Sequence, residues 1–243
     1  MSEVWLSHLS VADWPEPVRW KNYFEQAQNL LGGALTHLDE NDPVRRKVTS
    51  LDEAAGFVCE FKQQEQSRLI LGKFKTLGIE FSIDHFRPVQ QFANTVNWFF
   101  PLSYVDKEEN GQRFKNLFDL GNQFLKPFYA YGDAVAQIRS KNKPSGAVDI
   151  QAELLGVFWL TYFNPAYVAF FGNLKFNGLL GVERGSDGSV TIVLGDSPQL
   201  VASELREQSV ETLGKQSFVN PSDILGKQRG RFALTFQQLL AAR

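Results

Sequence analysis

The stretch Gly78-Ile79-Glu80-Phe81-Ser82-Ile83-Asp84-His85-Phe86 decides the fold class. Ile79, Phe81, Ile83 and His85 alternate with Glu80, Ser82 and Asp84, the period-2 pattern of a strand with one buried face. A second run, Arg68 to Lys75, precedes it across Thr76-Leu77, so the two predict an antiparallel hairpin. Outward from this pair, Thr95 to Tyr104 reads as a third strand, with Pro101 near its end or edge.

On the N-terminal side, Val18, Phe24, Ala27, Leu30, Leu31, Ala34, Leu35 and Leu38 recur at helical spacing. They predict a helix from Pro17 to Leu38, broken by Asp39-Glu40-Asn41-Asp42-Pro43. On the C-terminal side, Asp106 to Gly111 reads as an exposed turn. A helix with a stripe of Phe114, Leu117, Phe118, Gly121, Phe124 and Leu125 follows and stops at Pro127. Phe128 to Val135 is a candidate strand, and Ser140 to Ser145 a surface loop.

The stretch from Leu154 to Gly172 is dense in aromatics and carries no charge. It predicts a buried strand to about Phe163, with Trp159 in the core, and a short helix capped by Asn164 and opened by Pro165. Leu179–Arg184 and Ser189–Leu194 flank Gly185-Ser186-Asp187-Gly188, a hairpin signal. Ser197-Pro198 is expected to open a helix running to Gly214, and Phe232 to Leu240 a short helical tail.

Hairpins separated by helices define an α+β fold with a largely antiparallel sheet flanked by helices. The expected organisation is one domain over 1–243 with a helical arm over about 1–40, pinned to the body by Trp5, Trp14 and Trp20. Both halves read as strands, a helix and strands again, with no sequence identity to support a duplication.

Apolar content of 43% and charge of 21% fit a globular protein, and a net charge of −2 favours neither nucleic acid nor an anionic membrane. Met1 to Pro17 lacks the basic and apolar regions of a secretory signal. The run at Leu154–Leu160 is too short for the ~20 residues of a membrane helix. The single Cys59 cannot form an intrachain disulfide or a Cys-x-x-Cys zinc site, so a cytoplasmic protein is expected.

The chemical constellations are sparse. Glu60-Phe61-Lys62 matches half of a nuclease pattern in which Asp42 or Asp52 would supply the second carboxylate, though a surface charge pair explains it as well. Asp84 and His85 are strand neighbours and point to opposite faces, so they cannot pair with each other. His8 and His37 are isolated, and no metal site is expected. Neither Gly-x-Gly-x-x-Gly nor a P-loop occurs, so no cofactor is expected. The clusters Arg45-Arg46-Lys47 and Lys227, Arg229, Arg231 are too short to imply nucleic-acid binding. Two acidic groups, Asp39, Glu40, Asp42 and Asp106, Glu108, Glu109, read either as solvated loops or as docking patches for a basic protein.

The run Trp159-Leu160-Thr161-Tyr162-Phe163-Asn164-Pro165-Ala166-Tyr167, ending in Phe171-Gly172 and followed by the glycine-rich hairpin and the Ser197-Pro198 start, resembles cytoplasmic immunity proteins of bacterial polymorphic toxins. The likeness is to those paired with type VI secreted nuclease toxins of restriction-endonuclease type. It extends over about residues 70 to 215 in pattern and over Trp159–Gly172 in residues. It implies a non-enzyme that binds and neutralises one cognate toxin, with no catalytic residues to carry over. Asp106, Glu108 and Glu109 are the expected contacts to the basic surface of such a toxin. The alternative is an enzyme, a metal-dependent hydrolase or nuclease, whose site assembles from dispersed residues. An adaptor is a third. With three His and one Cys, the chain is poor in groups that catalysis tunes, which favours binding. The oligomeric state is left open.

Overall fold

Period-2 alternation within three consecutive strands separates the side chains of the N-terminal part into two faces. A computed structural model describes residues 3–14, 16–61, 66–86, 92–141, 148–222 and 232–242, with Glu108 by its backbone alone. The chain divides into two compact units, Met1–Pro127 and Phe128–Arg243.

Unit 1 holds β1 (Glu3–Ser10), α1 (Pro17–Leu31), β2 (His37–Asp39), α2 (Leu51–Cys59), β3 (Ser67–Phe74), β4 (Ile79–Phe86), β5 (Asn94–Pro101), α3 (Leu102–Val105) and α4 (Glu108–Leu125). Its strands lie in the order β2-β3-β4-β5-β1, each antiparallel to its neighbour. The predicted hairpin is β3–β4, pairing Phe74 with Ile79 at its turn. One face carries Val4, Leu6, Ile70, Phe74, Phe81, Ile83, Val96, Trp98 and Phe100, all buried. Helices cover this inner face. Phe24 of α1 packs on Phe81, Phe114 of α4 sits edge-on to Phe100, and the Trp98 indole donates to the Tyr23 hydroxyl at 3.0 Å. Burying each such ring stabilises the fold by about 1.5–3 kcal/mol. Gly72 faces Phe81 across the hairpin, and a side chain there would overlap the Phe81 ring.

Unit 2 holds β6 (Tyr129–Ala134), α5 (Val135–Arg139), β7 (Leu160–Phe163), α6 (Pro165–Phe171), β8 (Val182–Arg184), β9 (Val190–Val193), α7 (Ser203–Leu213) and α8 (Phe236–Ala241). Its strands are antiparallel in the order β6-β7-β9-β8. All four residues of β7 are buried, as an uncharged segment should be. Trp159 is fully buried, and its indole donates to the Gly195 carbonyl at 2.7 Å. The Asn164 side chain caps α6 by accepting from the Tyr167 N–H. The chain is thus α+β, with antiparallel sheet flanked by helices.

Four expectations change. The segment Glu3–Ser10 is a strand of the sheet, paired with residues 94–101, not part of a helical arm, and Trp5 is half-exposed on it; Trp14 and Trp20 are buried against each other. The first helix ends at Leu31, not Leu38. Gly32 takes a left-handed φ of 69°, its N–H returns to Gln28, and Leu35 and Leu38 are buried from a loop and from β2. The expected exposed turn at 106–111 is confined to Asp106 and Lys107; α4 already starts at Glu108, where acidic residues suit the positive end of the helix dipole. The Ser197-Pro198 start gives only a 3-10 turn, Pro198–Leu200. The Arg206 guanidinium takes the carbonyls of Pro198 and Val201, so α7 opens later, at Ser203. The expected loop at 140–145 lies mostly outside the described residues.

His8 gives a pH test of this packing. It faces inward from β1, Nε2 lies 3.1 Å from the Phe118 carbonyl, and a side chain at Gly121 would overlap its ring. Burial pushes its pKa down to about 4, against the pull of the Phe118 carbonyl. The unfolded chain takes up this proton first, so the contribution is full above about pH 6.5 and is lost as pH falls toward 4. The expected loss is roughly 3 kcal/mol. Urea unfolding at pH 7.5, 5.5 and 4.5 checks it: a His8→Leu variant should show a flatter profile across this window than the native chain.

Candidate functional site

The same alternation that builds the inner face loads the outer face of unit 1 with polar groups. Ser7, Asn97 and Ser82 lie in one cross-strand row, Leu9, Thr95 and Asp84 in the next, and Trp5 pairs with Phe99 beside them. Side chains in register across antiparallel strands are close enough to bond directly. Asn97 Oδ1 accepts from the Trp5 indole at 3.2 Å and from the Ser7 hydroxyl at 2.7 Å. Asn97 Nδ2 donates to Ser82 Oγ at 3.1 Å and reaches Asp84 Oδ2 at 3.5 Å, which also accepts from Thr95 Oγ1 at 2.8 Å. The Trp5 and Phe99 rings are 5.7 Å apart.

This face is partly open toward β3, whereas Ser7 and Ser82 in its central row are buried. Leu69, opposite Asp84, is 47% exposed. Trp5, Leu71, Asp84, Thr95, Asn97 and Phe99 are half-buried, whereas Leu9 is buried. Lys73 and Glu80 form an ion pair at 2.7 Å on its margin. The partners that Asp84 has among the described residues are neutral hydroxyl and amide groups. Burial pushes its carboxyl above the ordinary range, and the Thr95 hydroxyl only partly offsets this.

In unit 2 the polar chemistry is closed. Arg206 grips Asp133 with Nε and Nη2, both at 2.9 Å, and the carboxylate also accepts the N–H groups of Trp159 and Ala134. Both side chains are buried and mutually satisfied, which ties β6 to α7 and to the segment before β7.

The residues singled out in the sequence scatter. Asp106 and Glu109 are exposed at the end of α3 and the start of α4, while the side chain of Glu108 lies outside the described residues. The other acidic group is consumed locally. Asp39 accepts the N–H groups of Asn41, Arg45 and Arg46, which hold its pKa down to about 2, and Glu40 pairs with Arg68. In the nuclease-like pattern, Asp52 pairs with Lys21 at 2.8 Å and Lys62 lies outside the described residues. Arg46 pairs with Glu53 at 2.9 Å and stacks on Phe57; Lys227, Arg229 and Arg231 lie outside the described residues. His85 is buried against Phe61 and Trp14 on the inner face, opposite to Asp84. Among the described residues no three His, Cys, Asp or Glu side chains gather as for a metal ion, and no helix is long and apolar enough to cross a membrane. A cleft of about 20 Å³ beside Trp14, Trp20 and Tyr23 has two of its donors engaged: Arg19 and the Trp14 indole bond to the carbonyls of Phe124 and Leu125. The Asn97 network was missed. Its signal was the shared parity of Ser82 and Asp84 with Thr95, Asn97 and Phe99, visible once the strands are placed in register.

No protein-family model matches the chain. No curated protein matches it in sequence. Its fold is similar to that of a solved structure, the Pseudomonas aeruginosa T6SS protein PA0821, with a TM-score of 0.62 and 15% identity over 98% of this chain and 80% of that one.

Asp84 supplies the prediction. A carboxyl whose folded pKa is raised stabilises the fold most below its unfolded pKa, and this contribution disappears as pH rises through the folded value. At pH 7 the ionised form is therefore a burden, and Asp84→Asn should raise Tm at pH 7 and leave it nearly unchanged at pH 3. Thermal melts at both pH values check this; a lower Tm at pH 7 would contradict it.

Proposed function

We propose that this chain is a cytoplasmic binding protein that neutralises a cognate protein toxin, a nuclease effector delivered by type VI secretion, through a stoichiometric complex and without catalysis. The observation that carries the reading is the fold shared over nearly the whole chain with a T6SS protein, together with the likeness of the Trp159–Gly172 run to immunity proteins. The use of the titratable groups supports it. Asp133, Glu40, Asp39 and Asp52 are each committed to a structural partner, and His8 and His85 are buried on the inner face. A catalytic site needs such groups presented to a substrate with tuned pKa values. The half-exposed face of unit 1, by contrast, carries aromatic rings and oriented polar groups, the composition of a recognition surface. Asp106, Glu108 and Glu109 are the acidic contact group read from the sequence, and the first turn of α4 presents Glu109 to solvent.

The test is a nuclease assay of the effector encoded in the adjacent open reading frame, titrated with this protein. DNA or RNA cleavage should fall linearly and vanish near a 1:1 ratio, with no dependence on preincubation time. Loss of cleavage at catalytic amounts of this protein, or turnover of a substrate by this protein alone, would overturn the reading in favour of an enzyme.

A further inference from the structure

The geometry points to the open face of β3, β4 and β5, with Trp5 of β1, as the surface that receives the toxin, with Asp84 taking an arginine of the toxin's basic surface. This rests on the binding reading above and adds the place and the chemistry of contact.

Three observations carry it. First, the face is open on its β3 side and closes toward β1, where Ser7 and Leu9 are buried: α1 and α4 pack on the inner side, and α2 meets the inward-facing Arg68. Leu69 is 47% exposed opposite Asp84, and Leu71 is half-exposed beside it. Second, the charge around Asp84 includes no cation among its described cross-strand neighbours. Lys73 is paired with Glu80, and toward β2 the face adds Asp39 opposite Leu71 and Lys47 opposite His37. Asp84 is held among neutral donors, Thr95 Oγ1 and Asn97 Nδ2, with Leu69 opposite. A carboxylate kept partly out of water without a cation is costly in the free protein and gains most when a guanidinium arrives. Third, the groups around it are fixed in advance. Asn97 ties Trp5, Ser7, Ser82 and Asp84 into one network, so little side-chain entropy is lost on docking. Trp5 and Phe99 offer the ring surfaces that favour arginine and apolar side chains at interfaces.

Charge complementarity selects the occupant. A nuclease toxin binds a polyanion, so its active surface is basic. Arginine suits this site better than lysine because its planar fork bonds to a carboxylate and stacks on an aromatic ring together.

The experiment is calorimetric titration of the adjacent-gene effector into the native protein, Asp84→Asn, Trp5→Ala, and a charge reversal of Asp106, Glu108 and Glu109. Circular dichroism melts first establish that each variant is folded. Asp84→Asn should weaken binding at least about tenfold while staying folded at pH 7. If the native protein binds and Asp84→Asn stays within about twofold, the inference is overturned and the binding reading stands. The same holds if only the reversal at 106, 108 and 109 weakens the complex. If the native protein does not bind at all, the binding reading falls, and NMR titration with acetyl-arginine amide decides the surface. Saturable shifts of the Asn97 side-chain amide and the Trp5 indole, lost in Asp84→Asn, support it. No shift, or the same shift in Asp84→Asn, overturns it.

Discussion

The register of β5 between β4 and β1 determines both faces of unit 1. Pairing Trp98 with Phe81 on one side and Leu6 on the other sends Val96, Trp98 and Phe100 inward under α1 and α4. The same pairing sends Thr95, Asn97 and Phe99 outward beside Asp84, Ser82 and Trp5. A slip of one residue would exchange the two sets, placing an indole in water and an amide and a hydroxyl in the core. The aromatic interior and the polar exterior network are therefore consequences of one constraint.

Desolvated charge is handled in two ways. In unit 2 Asp133 and Arg206 bond to each other and to four backbone groups, so the pair serves packing and leaves nothing for a partner. In unit 1 Asp84 is surrounded by neutral groups on a half-exposed face. Stability alone would favour an uncharged side chain there, since a desolvated carboxylate without a cation lowers stability at neutral pH.

Much of this fold was legible in the residues. Alternation at Ile79–His85 and the glycine turn at 185–188 gave both hairpins, and Asn164-Pro165 gave the start of α6. Other readings failed for identifiable reasons. Leu35 and Leu38 kept helical spacing after Gly32 had ended the helix, because burial can be satisfied from a strand as well. Glu3–Ser10 hid because its partner, Asn94–Pro101, lies some ninety residues away in the chain. The 3-10 turn at 198–200 depends on Arg206, whose anchor Asp133 is 73 residues distant. The candidate site was least legible for the same reason. Asn97, Asp84 and Trp5 look like ordinary strand residues one at a time, and only their register makes them a site.

The proposed contact turns on Asp84, whose partners among the described residues are neutral. Its side-chain carboxyl carbon, followed by NMR across pH 2 to 8 in the free protein and in the complex with the effector, reports this directly. The account predicts a pKa above the ordinary carboxylate value of about 3.9 in the free protein and below it in the complex. An ordinary value in the free protein, or one that the complex leaves unchanged, would contradict it.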